Sequence, residues 1–335
     1  MFRTILRFIR HVFLELRERK STYTRIRNSL HIAMLARHAS DADRAEADAI
    51  IEYKLGHARP RVIGGIVALR LLFETVRMPK MARRAGSERF MLMWLYLTTL
   101  SDMLDSMSAS LAPDELRDRV HASLLLRSIS VRILALLHQA RMPSSRIRNV
   151  EMLLEKLREH CIREVSGRSA QAKQLTSSAC RNRHRAKMHL CAELFMHMLY
   201  PLSALSAQDV QTFATFMART QMIGDVADLS QDILLKNHDN AACMKLLLFP
   251  KEYEAMLAYA HKHPREKVNP RTLRRHVPYA YYALLRWHAQ LGNVMVANRG
   301  DPACRLLRWW GSMFFLLYPN LRNCIYRIAP HRAVF

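Results

Sequence analysis

Apolar residues recur along this chain at intervals of three and four and almost nowhere in strict alternation, so the pattern predicts helices throughout. Phe2, Ile5, Leu6, Ile9, Val12, Phe13 and Leu16 share one stripe, with Arg3, Arg7, Arg10 and Arg17 largely off it. Residues 1–20 therefore read as a basic amphipathic helix. Three roles fit such a helix: packing on a core, lying on a membrane surface, or targeting to an organelle. Ser40-Asp-Ala-Asp-Arg opens the next helix, which runs to about Lys54 before Gly56, Pro60 and the Gly64-Gly65 pair break the pattern. A further apolar helix follows to about Val76, and Met78 to Ser87, with Pro79 and Gly86, reads as a basic loop.

From Glu88 the run FMLMWLYLTTL is apolar on every side, the signature of a helix buried at the centre of a bundle. Pro113, followed by Asp114 and Glu115, opens another helix in the way a helix N-terminus favours. Helices are predicted over roughly 114–141, 146–165 and 185–200, with polar breaks at Pro143 and from Gly167 to Arg183, the latter a basic loop. Ser206 and Asp209 resemble a capping box for a long helix to about Leu235. Further helices are expected near 250–263, 271–298 and 303–327. No repeat and no shift in composition marks a boundary, so the expected architecture is all-α, a single-domain helical bundle over residues 1–335.

Composition sharpens this picture. Only 9 glycines occur in 335 residues, and half the chain is apolar, enough to form a core and to disfavour disorder. Lys and Arg number 52 against 28 Asp and Glu, a net charge of +24. A field of that sign attracts polyanions: nucleic acid, an anionic membrane surface or a phosphorylated substrate. Nucleic acid is the weakest of the three, because the basic residues are dispersed and no recognition motif is visible. The six cysteines (Cys161, Cys180, Cys191, Cys243, Cys304 and Cys324) include no CxxC pair, which fits free thiols in a reducing compartment rather than zinc ligation. No charge-free run reaches the ~18 residues of a spanning helix. The expected location is cytoplasmic, with peripheral membrane association through residues 1–20 as a variant.

Chemistry is concentrated in two acidic motifs. Asp102 and Asp105 end the most apolar helix, and residues three apart share a helical face. Asp225, Asp228 and Asp232, in IGDVADLSQDILL, lie on one stripe at spacings of three and four, where like charges repel and a counter-ion is called for. Carboxylate-only groups suit hard divalent ions, above all Mg²⁺, which completes its shell with water and substrate phosphates. Two such helices facing each other across an apolar bundle would hold a diphosphate, with the substrate's apolar tail in the interior. Asp residues at helix ends are also commonly just solvated; the two motifs together carry the metal reading.

The stretch LTTLSDMLDSMSASLAPDELR resembles the first acidic motif of the class IB terpene synthases, the tetraprenyl-β-curcumene synthase-like large-terpene synthases of bacteria. That motif reads roughly DYLDNLCDR and is followed by a similar S-x-x-L-x-P-x-x-x-R spacing. GDVADLSQD is similar to the family's second motif, roughly DYFIDQxED, with Asp228 and Asp232 in matching places, Gly224 where the first Asp stands, and Asp225 one residue on. Lys54-Leu-Gly-His57 looks like the family's K-x-x-H element, with Gly64 and Gly65 about four residues later than expected. Ala109 and Ser110 stand where the family has its third Asp and following Arg, so one ligand and one diphosphate contact differ.

The resemblance implies a terpenoid-synthase fold in which Mg²⁺ ionises a prenyl diphosphate, releasing diphosphate and giving a linear or cyclic terpene. It implies Asp102, Asp105, Asp228 and Asp232 as catalytic metal-binding residues, with Asp225 as a substitute ligand. Lys54, His57, Arg219 and Lys236, in or beside the motifs, are candidates for holding diphosphate. Trp94, eleven residues before Asp105, is the candidate cavity aromatic, although an aromatic in an apolar helix is more often core packing. Two alternatives stand beside this reading. One is head-to-head prenyl condensation of the squalene/phytoene synthase kind, for which Gln221 lies seven residues before Asp228. The other is a non-catalytic basic helical protein that binds nucleic acid or membrane.

Overall fold

The computed structural model describes residues 2–56, 80–107, 110–166, 177–197, 207–236, 240–264 and 266–299. Among these residues there are helices and no strands, so the chain is all-α. By packing it divides into two compact units, Met1–Gly167 with His189–Gln211, and Arg168–Met188 with Thr212–Phe335. The chain changes unit three times, and the two changes among the described residues, after Met188 and after Gln211, fall inside helices, where no turn residue advertises them.

The first unit begins with α1 (Phe2–Leu35), well beyond the twenty residues its N-terminal stripe marks out. Thr22, Ile26, Leu30 and Met34, four apart, are buried, so the C-terminal half of α1 is what anchors this helix. α2 (Asp41–Ile51) starts with a full capping box: Ser40 Oγ accepts from Asp43 N at 3.1 Å, and Asp43 Oδ2 accepts from Ser40 N at 2.9 Å. Arg27 holds Asp48 with two hydrogen bonds, at 2.9 and 2.8 Å, and His31 reaches the same carboxylate at 2.6 Å. Arg27 keeps the Asp48 carboxyl below its ordinary range and ties α1 to α2. α2 ends in a wide π-helical turn, Glu52–Gly56, which carries Lys54.

α3 (Lys80–Met107) is the central helix expected from its apolar run: Met91, Leu92, Met93, Leu95 and Tyr96 have no exposed surface. It starts at Lys80, so the basic loop expected over Met78–Ser87 is helical in its described part. Lys, Ala, Met and Arg are strong helix formers, and the single Gly86 costs only about 1 kcal/mol. Around α3 lie α4 (Pro113–Ala122), α5 (Leu124–Gln139) and α6 (Ser144–Ser166). The continuous helix expected over 114–141 is in fact bent by 53° at Ser123, whose hydroxyl accepts from Leu126 N and restarts the chain as an N-cap. Glu88 of α3 is buried and accepts from Arg132 of α5 at 2.7 Å, so the charge is compensated where it is desolvated.

α7 (Ser177–His197) starts earlier than expected, and 177–183 is helix rather than loop. α8 (Ala207–Leu234) ends within a residue of its expected end. The second unit's core gathers Met222, Val226, Leu229 and Ile233 of α8 with the short α9 (Ala241–Leu246), α10 (Pro250–Lys262), α11 (Pro270–His276) and α12 (Pro278–Arg299). Pro278 splits the helix expected over 271–298, because proline cannot donate to the preceding turn. Glu252 then satisfies the new helix start, its carboxylate accepting from Tyr279 N and Ala280 N, both at 2.8 Å. The apolar helix expected after Gly65 to about Val76, the helix expected over 303–327, and Ser206 lie outside the described residues. Cys161, Cys191 and Cys243 are buried in the apolar core.

Candidate functional site

The first acidic motif stands on the last two turns of α3, in the first unit. Leu100 and Leu104 point into the core, which turns Asp102 outward and leaves Asp105 half-buried. The π-helical turn brings Lys54 to this place: its ammonium bonds Asp102 Oδ2, reaches Thr98 O at 3.5 Å and stands 5.6 Å from the Tyr53 ring centroid. Lys54 is largely covered while Asp102 is mostly exposed, so the pair adds about 1 kcal/mol or less to stability. Lys54 and the first motif are therefore neighbours in space, although 48 residues separate Lys54 from Asp102. Ser110, in the place of the family's Arg, is exposed and donates to Met107 O at 3.2 Å. Trp94, on the same helix, is half-buried. His57, Ala109, Gly64 and Gly65 lie outside the described residues.

The second motif, in the second unit, separates its three aspartates by burial. Asp225 faces inward: Oδ1 accepts from Gln221 Nε2 at 2.7 Å and Oδ2 from Ala241 N at 2.8 Å. Burial pushes its carboxyl up to about 7, against the pull of the Ala241 and Gln221 hydrogen bonds and of Lys187. Both oxygens are thus taken by internal donors, and the metal role expected of Asp225 gives way to a structural one. Gln221, exposed on α8, spends one N–H on Asp225.

Asp228 and Asp232, four apart, remain half-exposed on one face of α8. Lys267 bonds Asp228 Oδ1. Asn240 donates to Asp232 Oδ2 at 2.6 Å and to Asp225 O at 2.7 Å, while its Oδ1 accepts from Ala242 N and Cys243 N as the N-cap of α9. Lys267 and Asn240 carry no sequence signal of their own. Their partners are 39 and 8 residues away, and only folding identifies them. A Cβ at Gly224 meets nothing within 4 Å, so the position where the resemblance expects an Asp has open space.

Two of the expected diphosphate contacts are placed differently. Arg219 is 3% exposed, and its Nη2 donates to His288 Nδ1 at 3.3 Å, a contact inside the second unit. Burial, with the guanidinium alongside, pushes the His288 imidazole down to about 3, so it is neutral. Lys236 is exposed just past the end of α8, with φ 53, in the left-handed conformation of a helix C-cap. Its charge there faces the negative end of the helix.

A cluster that the sequence reading missed lies in the first unit, where His121, Glu155 and Glu159 bring ligand atoms within 4.8 Å of one another. Glu155 and Glu159 are one helical turn apart on α6, a signal open to the sequence, but His121 comes from α4. Arg158 Nη1 donates to His121 Nδ1 at 3.3 Å, which leaves the hydrogen on Nε2 to bond Glu159 Oε1 at 3.0 Å. Arg117 meets Glu159 at 3.4 Å, and Arg158 also bonds Glu155. The His121 bond, then Arg117, hold Glu159 below its ordinary range. With arginines on both carboxylates, this is an ion-pair network joining α4 to α6.

No family model, no curated protein and no solved structure matches the chain.

Proposed function

We propose that this protein is an Mg²⁺-dependent enzyme that ionises a prenyl diphosphate and releases diphosphate, in the manner of the terpene synthases its motifs resemble. One observation carries the reading. Each acidic motif keeps two aspartates on one helical face with a lysine at hand: Asp102 and Asp105 with Lys54, and Asp228 and Asp232 with Lys267. These accessible all-oxygen donor sets suit Mg²⁺, whereas Asp225, enclosed and titrating near neutrality, does not.

In this reading Asp102 with Asp105, and Asp228 with Asp232, would each hold Mg²⁺ within its own unit, and the bound metal would supply Lewis-acid stabilisation of the leaving diphosphate. Lys54 and Lys267 neutralise the carboxylates in the free protein and exchange them for phosphate oxygens when substrate arrives. Gln221 and Asn240 fix the backbone of the second motif through Asp225. Trp94 offers the aromatic face suited to a developing carbocation.

The test is diphosphate release from C10 to C35 prenyl diphosphates by the purified chain. Mg²⁺ is expected to be required and a chelator to abolish release. Asp102→Asn or Asp228→Asn should each cut the rate by about 10²-fold or more, the scale of losing a charge-stabilising group. No release, together with no Mg²⁺-dependent binding of the diphosphates, would overturn the proposal. A product of doubled chain length would move it to head-to-head condensation.

A further inference from the structure

We infer that the N-terminal part of α1 docks on an anionic phospholipid membrane surface. Leu6, Ile9 and Phe13 follow one another at intervals of three and four, so they form a single stripe. They are 49%, 44% and 67% exposed, whereas Thr22, Ile26, Leu30 and Met34 of the same helix are buried. The helix thus has two halves with different work: the C-terminal half is held in the first unit, and the N-terminal half leaves its apolar stripe open.

Charge selects the occupant. Arg10 and Arg17 are exposed along one edge of the stripe, and Lys20 stands exposed two turns beyond Phe13. Apolar side chains bordered by long basic ones suit the boundary between acyl chains and anionic headgroups, where guanidinium and ammonium groups reach phosphate while their stems stay in the apolar layer. The net charge of +24 adds long-range attraction to such a surface. Nucleic acid has no use for the leucine, isoleucine and phenylalanine, and a second copy would set this basic edge against its own kind. Membrane spanning is a different matter: no single helix among the described residues is long and apolar enough to cross a bilayer. The inference is independent of the enzymatic proposal.

The experiment is co-sedimentation of the full chain with vesicles of phosphatidylcholine alone or with added phosphatidylglycerol. Binding is expected only to the second kind and should weaken with added salt. Leu6→Ser with Phe13→Ser, and separately Arg10→Glu with Arg17→Glu, should each reduce it by about tenfold or more. These residues are exposed, so circular dichroism should report unchanged helix content. Absence of binding to phosphatidylglycerol vesicles would overturn the inference. So would binding that survives Leu6→Ser with Phe13→Ser, since charge alone would then explain it. Loss of a dimer in that variant, with vesicle binding intact, would reassign the stripe to a second copy.

Discussion

Asp225 and His288 are two buried titratable groups of the second unit whose pH dependences oppose each other. An unfolded Asp loses its proton near 4, whereas the folded Asp225 keeps its own up to about 7. Its contribution to stability is therefore whole below pH 4 and lost as pH rises to 7, a change of a few kcal/mol. His288 runs the other way: unfolded it binds a proton near 6.5, folded only near 3, so stability falls as pH drops through that window. Asp225→Asn should gain stability relative to the native chain between pH 4 and 7, since Gln221 can turn its amide to face the new NH₂ group. His288→Gln should gain relative stability on acidification. Urea midpoints at intervals across this range check both, and variant curves parallel to the native one would refute the burial argument. Glu252 is a simpler case. Its carboxylate is the cap of α12, and Glu252→Ala should cost about 2–3 kcal/mol in the same measurement.

Among the elements, α8 and the short α9 matter most to the second acidic motif. Six residues cannot sustain a helix alone, so α9 exists because Asn240 caps it and the core takes up Ala241, Ala242, Cys243, Met244 and Leu246. Asn240→Ala removes four hydrogen bonds from one buried side chain, two to α9 and two to α8, and should destabilise by about 2–4 kcal/mol. It should also weaken any Mg²⁺ affinity of Asp228 and Asp232, which calorimetry would show. Gly224→Asp tests the same helix from the other side. Space is open there, and a mid-helix glycine is the poorer helix former, so the variant should fold with at least native stability. With Asp228 one turn on, it should bind Mg²⁺ more tightly. A variant that folds and shows unchanged affinity would count against a metal site on this face.

For the molecule as a whole, the charge of +24 dictates behaviour that any functional assay must separate from specific recognition. The chain should be retained on a polyanion such as heparin and be released steeply by salt, as counterion release requires. Asp102→Asn and Asp228→Asn should leave that retention intact or raise it slightly, while lowering diphosphate release. Unchanged retention together with unchanged diphosphate release would mean that the acidic motifs hold no special chemistry. Burial, unlike net charge, divides the chain into two units, and each acidic motif belongs to a different one.

Much of this was open to sequence. Apolar spacing identified the central helix around Met91–Leu100, the start at Pro113 and the end of α8, because amphipathic period and terminal residues act locally. The break at Ser123 and the helix at Lys80 were missed, since near-equal local preferences there are settled by what the side chains meet across the fold. The aspartates were visible as types at helical spacing, but their states were not. Whether a carboxylate faces water with a lysine, as Asp228 does, or ends enclosed against a backbone N–H, as Asp225 does, depends on about a one-sixth turn of α8 relative to its neighbours. Local sequence sets the helix; desolvation, which only packing creates, decides the charge each residue can carry.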